Sequence, residues 1–133
     1  MSKSIIYAGS NSTVTTAATG TIIPFSNIVR RYGCNCNTSG GNVVCTGQGY
    51  YSGSVNVTLN GTAAGNATVQ VLANGTAIPY AYGSCVTSAT STNTITIPFV
   101  VRNNCNCVDT TITVEVGGVI ADVVNAAIAV EKE

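Results

Sequence analysis

The stretch Thr94-Ile95-Thr96-Ile97-Pro98-Phe99-Val100-Val101 decides the fold. Its apolar side chains Ile95, Ile97, Phe99 and Val101 fall at every second position, with Thr94, Thr96, Pro98 and Val100 between them. Successive side chains of an extended chain point to opposite faces, so this pattern is a strand with one face in a core. A helix would need apolar residues three and four apart, and β-branched Thr, Ile and Val lose rotamer freedom there. The same period recurs on both sides. Val55, Val57 and Leu59 alternate with Asn56, Thr58 and Asn60, and Val69, Val71 and Ala73 with Thr68, Gln70 and Leu72. Ile112, Val114 and Val116 alternate with Thr111, Thr113 and Glu115.

Residues 119–130 admit a helix on their Ala and Val content. Val124, Ala126, Ile128 and Val130 nevertheless keep period two, so a strand is expected there as well. Turn chemistry separates the runs at Asn60-Gly61, Asn74-Gly75 and Gly117-Gly118. Pro24, Pro79 and Pro98 lie in or beside strand patterns and are expected at edges, strand starts or bulges. Many short strands without a helical segment point to an all-β sandwich or barrel.

Composition narrows the function. The chain has 133 residues, within the range of one domain. Hydrophobic residues make up 45% and charged residues 8%, so the chain is not disordered and its polar surface is built from Thr, Ser, Asn and Gly. Five basic and five acidic residues give a net charge of zero. A neutral, charge-poor surface resists association weakly, which implies that neighbouring copies cover much of it. Nucleic acid is excluded as a partner, because no basic patch exists to displace phosphate counterions. Arg30-Arg31 is the one adjacent basic pair and reads as a solvated strand end.

No apolar run approaches the ~18 residues of a membrane span, so no membrane partner is expected. The opening residues, Met1 to Gly9, lack the apolar core of a secretion signal. Synthesis in a cytoplasm, with release by lysis or another route, is the expectation. Residues 8–20 are small and polar. The division expected is an N-terminal arm or connector over 1–20 and a β-sandwich domain over 21–133.

The six cysteines are Cys34, Cys36, Cys45, Cys85, Cys105 and Cys107. Two Cys-Asn-Cys triplets are the sharpest feature. Within a strand, residues i and i+2 share a face, so each triplet would present two thiols side by side. Both follow an Arg-containing strand end, Val29-Arg30-Arg31-Tyr32-Gly33 and Val100-Val101-Arg102-Asn103-Asn104, so they could sit at the same end of the sandwich. Three readings stand. All six are disulfide candidates, with Cys34/Cys36 to Cys105/Cys107 and Cys45 to Cys85 as one pattern among fifteen connectivities. Cys34, Cys36, Cys105 and Cys107 could form a four-thiolate metal site, against which stand the one-residue spacing and the lack of His. Free thiols are the third reading, expected in a reducing compartment.

Catalytic apparatus is missing from the pattern. Without histidine there is no Ser-His-Asp or Cys-His arrangement. The carboxylates are Asp109, Glu115, Asp122, Glu131 and Glu133; a pair such as Asp109 with Asp122 could meet in space, but nothing in the pattern suggests a glycosidase cleft. No phosphate loop is present. No catalytic residue, cofactor or enzymatic activity is expected. The Asn-x-Ser/Thr sites read as turns, and the tyrosines as core or interface residues.

Two stretches resemble the jelly-roll heads of the tumour-necrosis-factor and complement-globular-head superfamily, which includes trimeric heads of bacterial spore-surface and phage proteins. Gly20-Thr21-Ile22-Ile23-Pro24-Phe25-Ser26 is similar to the opening strand of such heads. Gly49-Tyr50-Tyr51-Ser52-Gly53-Ser54-Val55-Asn56-Val57 resembles their Gly-x-Tyr strand. Residues 68–79 and the final run 125–133 match more loosely. The resemblance implies an antiparallel jelly-roll β-sandwich and a homotrimer packed about a three-fold axis through one apolar sheet face. The cysteines depart from the family.

Together these readings suggest a structural virion surface protein: a phage capsid decoration or fibre-head subunit, made in the host cytoplasm. It would self-assemble and contact a neighbouring capsid protein, with a cell-surface glycan as a further partner. The alternatives are a disulfide-linked subunit of a bacterial cell-surface or spore appendage, and a carbohydrate-binding module.

Overall fold

The computed structural model describes residues 4–10, 13–17, 19–103 and 109–132. The strands are β1 (Ile5–Gly9), β2 (Val14–Thr15), β3 (Thr21–Ile22), β4 (Asn27–Tyr32), β5 (Cys36–Ser39) and β6 (Asn42–Thr46). They continue as β7 (Gly49–Gly61), β8 (Gly65–Ala73), β9 (Thr76–Thr87), β10 (Thr92–Asn103), β11 (Asp109–Gly117) and β12 (Ala121–Lys132). Two six-stranded antiparallel sheets result. The first runs β10-β7-β12-β1-β4 with β2 added on β12; the second runs β5-β6-β11-β8-β9 with β3 added on β11. From β4 onward the chain passes repeatedly between the sheets, which makes the sandwich a jelly roll. Among the described residues no helix is long and apolar enough to cross a membrane.

The period-two residues meet between the sheets. Val55, Val57 and Leu59 of β7, Val69 and Val71 of β8, and Ile112, Val114 and Val116 of β11 are fully buried. Ile128 and Val130 confirm β12 as a strand. Phe25 and Tyr51 are the largest wholly buried side chains. Gly53 makes room for a third aromatic. A Cβ there would stand 2.9 Å from the ring of Phe99 and 2.4 Å from the carbonyl oxygen of Ala129.

Prolines and turns obey their chemistry. Pro98 and Pro79 lie in β10 and β9, each at an end of its sheet, where a missing N–H costs no interior ladder bond. Asn74 and Gly75 have φ of 52° and 81° and close the β8–β9 hairpin as a primed turn. Asn60-Gly61 behaves differently: both residues still belong to β7, and the chain turns after them. In β9 the register breaks opposite Gln70 and Leu72. The Gln70 amide fills the break, donating to the carbonyls of Val71 (3.0 Å) and Ala81 (2.9 Å). Tyr80 sits at this bulge with φ of 65° and a completely exposed side chain.

Two expectations need correction. Residues 5–9 do not extend away as part of an arm. They form β1 between β12 and β4, with Ile6 and Ala8 buried. The Ala-Gly-Ser run after them masked a short alternating strand that ends at Gly9. Nor do Cys34 and Cys36 share a face. Cys34 lies in the bend where the chain leaves β4, turned by Gly33 at φ 83°, and is exposed; Cys36 opens β5 in the other sheet and is buried. Cys105 and Cys107 lie outside the described residues.

Candidate functional site

The first sheet presents its outward side chains in rows fixed by the pairing. Tyr7, Ala129, Ser54 and Pro98 form one row across β1, β12, β7 and β10. Gly9, Ala127, Asn56 and Thr96 form the next, and Asn125, Thr58 and Thr94 the third. These side chains are uncharged and, apart from Tyr7, small or medium in size. Thr58 and Thr94 bridge their strands through a 3.1 Å hydroxyl contact. Charge appears only around the field, with Arg30 opposite Tyr7 at the β4 margin, Glu131 and Arg102 toward one end and Asp122 at the other. Asp122 accepts a hydrogen bond from Thr15 at 2.9 Å. A shallow depression of about 310 Å³ opens over Ile5, Ser52, Ser54, Ala129 and Glu131. Burying a face of this kind strips no charge of water and no unpaired interior backbone, but its Ser, Thr and Asn groups would need partners across the contact.

The second notable region is one end of the sandwich. Pairing aligns Tyr32, Ile5, Glu131, Ser52 and Val100, so the two Arg-containing strand ends do lie at the same end. There Cys36 and Cys45, both buried, stand directly opposite one another on β5 and β6. Their thiols hydrogen-bond. That bond pulls Cys36 below its ordinary value, with burial opposing it and the charges of Arg31 and Lys132 assisting. The same bond, followed by burial, pushes Cys45 up.

A polar shell holds the pair. Arg31 Nε donates to the Cys36 carbonyl at 2.8 Å. Asn35 Nδ2 donates to the Thr46 carbonyl at 2.7 Å, and Ser4 Oγ donates to Asn35 Oδ1 at 3.0 Å. The Tyr51 hydroxyl donates to the carbonyls of Thr46 and Gly47. Burial, and then the field of Cys45, push that hydroxyl up to about 12.

Other residues singled out in the sequence stand apart. Cys85 is half-buried on β9 opposite Ala67, and burial raises its thiol. Its neighbourhood lies near Gly117 of β11, whereas Cys45 faces Thr110 of the same strand. At ~3.4 Å per residue, about 25 Å of sheet separates Cys45 from Cys85. Asp109 opposite Thr46 and Asp122 opposite Asn60 lie at different ends and on different sheets. No group of three or more His, Cys, Asp or Glu residues is arranged to hold a metal among the described residues. Of the tyrosines, Tyr51 is core, while Tyr7, Tyr32, Tyr50, Tyr80 and Tyr82 are exposed.

No protein-family model and no curated protein sequence matches the chain. Solved structures match closely in shape. A crystal structure of murine APRIL at pH 5.0 superposes with a TM-score of 0.73 at 14% identity, covering 99% of this chain and 100% of that one. The globular domain of zebrafish complement 1qA superposes at 0.69 with 10% identity, covering 98% and 97%. PRD1 vertex protein P5 superposes at 0.64 with 15% identity, covering 97% of this chain and 72% of that one. The tumour-necrosis-factor and complement-head likeness is therefore one of fold, across nearly the whole chain.

Proposed function

We propose that this chain is a non-enzymatic virion surface subunit, a capsid decoration or fibre-head protein. It assembles as a homotrimer with the outer face of the first sheet inside the assembly, and it attaches to a neighbouring capsid protein. The observation that carries this reading is the field of small, uncharged side chains centred on Ala127, Ala129, Ser54 and Asn56. A solvated face of a monomer would normally carry Lys and Glu at such positions. Support also comes from the shape shared with the phage vertex protein P5. Light scattering on the purified chain tests the proposal. The expected mass is three times 13.5 kDa; a stable monomer at moderate concentration overturns it.

One observation favours a second reading. The exposed Cys34 is free to bond a neighbouring subunit, as a disulfide-linked appendage subunit would require. Reductant-sensitive ladders on a denaturing gel would support that alternative over the decoration protein.

A further inference from the structure

We infer that Cys36 and Cys45 form a disulfide within the subunit, closing the β5–β6 hairpin at the edge of the second sheet. The geometry rests on register. Thr46 N–H donates to the Asn35 carbonyl at 2.8 Å, which makes the next pair inward, Cys36 and Cys45, a non-hydrogen-bonded pair. At such positions the Cα atoms approach to about 4.5 Å and the side chains come closest. A disulfide spans Cα separations of roughly 4.4–6.8 Å, so the bond needs little backbone movement. Both side chains are fully buried and, as direct register partners, lie on the same face.

The competing described thiols are worse placed. Cys34 is exposed on the bend, and a bond from it to Cys36 would close a very small, strained ring. Cys85 is remote. Bond formation removes one hydrogen from each sulfur and joins the two sulfurs. The two electrons and two protons pass to a small-molecule disulfide, which leaves as two thiols after a mixed-disulfide intermediate. Because both sulfurs are buried, attack requires β5 to open. That strand has four residues and one neighbour, β6, in its sheet, so it opens at low cost. In a reducing compartment the pair remains a dithiol; an oxidising medium closes it. Closure then fixes the edge strand and the crossing from β4 to β5.

The test uses the whole chain. It is incubated with oxidised glutathione, alkylated in denaturant and digested with thermolysin, which cuts before Val43 and so separates the two cysteines. Expected are a cross-linked peptide pair whose fragment ions place the bond at Cys36 and Cys45, and two fewer alkylated thiols than in reduced protein. The melting temperature of the oxidised form should exceed that of the reduced form by about 5–10 °C. The C36S/C45S variant should lose that difference. Alkyl label on both cysteines after oxidation would overturn the inference, as would a bond from either to any other cysteine. The peptide evidence comes from the wild-type chain, so it holds even where the variant folds poorly.

Discussion

The hydroxyl of Thr110 donates to Oδ1 of Asn103, and Nδ2 of Asn103 donates in turn to the carbonyls of Cys45 (3.0 Å) and Gly47 (3.1 Å). Both side chains are buried, so one amide ties the end of β10 to β11 and to the turn after β6. Replacing Asn103 by Ala would leave the buried Thr110 hydroxyl without its acceptor and take a donor from the Cys45 carbonyl, while the Gly47 carbonyl keeps the Tyr51 hydroxyl. We predict a loss of about 3 kcal/mol, measured by denaturant unfolding. A loss below about 1 kcal/mol would show that the network contributes little to stability.

Gly53 answers a packing problem of the same kind. An added methyl at this position meets the Phe99 ring and the Ala129 backbone. Gly53→Ala should therefore destabilise by about 2–3 kcal/mol through overpacking. The larger Val should prevent folding. Thermal melts of both variants check this.

Ala129→Arg probes the assembly face without touching the core. Its side chain points outward from β12, so circular dichroism of the variant should match wild type. Association should weaken by more than about a hundredfold, because an unpaired charge would be buried against a twin. Ser84→Arg, on the exposed surface of β9 in the other sheet, should leave the mass unchanged. Equal masses for both variants would remove the first sheet from the interface.

Tyr51 should make stability fall at alkaline pH. Its hydroxyl ionises near 10 in an unfolded chain and at about 12 in the fold, so folding favours the protonated form. That contribution is whole below pH 10 and disappears as pH rises toward 12. Tyr51→Phe loses two hydrogen bonds and should be about 1–2 kcal/mol less stable at neutral pH. Its stability should decline less steeply above pH 10. Urea titrations at stepped pH give both slopes, and parallel slopes would discount the tyrosine.

Tyr80 stores backbone strain at full exposure. A left-handed conformation costs a non-glycine residue roughly 1–2 kcal/mol, and this side chain packs against nothing that offsets it. The expected order of melting temperature is Tyr80→Gly at or above wild type and Tyr80→Val clearly below. The reverse order would mean that the tyrosine is held by contacts of its own.

Period-two alternation made the interior legible, since burial selects side chains one by one along a strand. Ile95, Ile97, Phe99 and Val101 all face inward as the pattern requires. The proposed assembly face was harder to read, because Ser54, Asn56 and Ala129 look like ordinary polar or small residues until pairing sets them in rows. The Cys36–Cys45 pairing has a signal in the sequence. Gly40-Gly41 lies midway between the two cysteines, with φ of 60° and 84°, and counting outward from a two-residue turn lands on the pair. The strand at Ile5 was obscured by its length, too short for alternation to register.

Pro98 and Pro79 have a consequence for how copies of this chain could meet. Both sit on the flank where β10 and β9 border the sandwich, and each removes a donor that an incoming strand would need. Copies of this molecule are thereby discouraged from zipping side by side into an endless ribbon. If copies associate as proposed, broad faces rather than these edges would carry the contact, and their symmetry could close on itself after a few subunits.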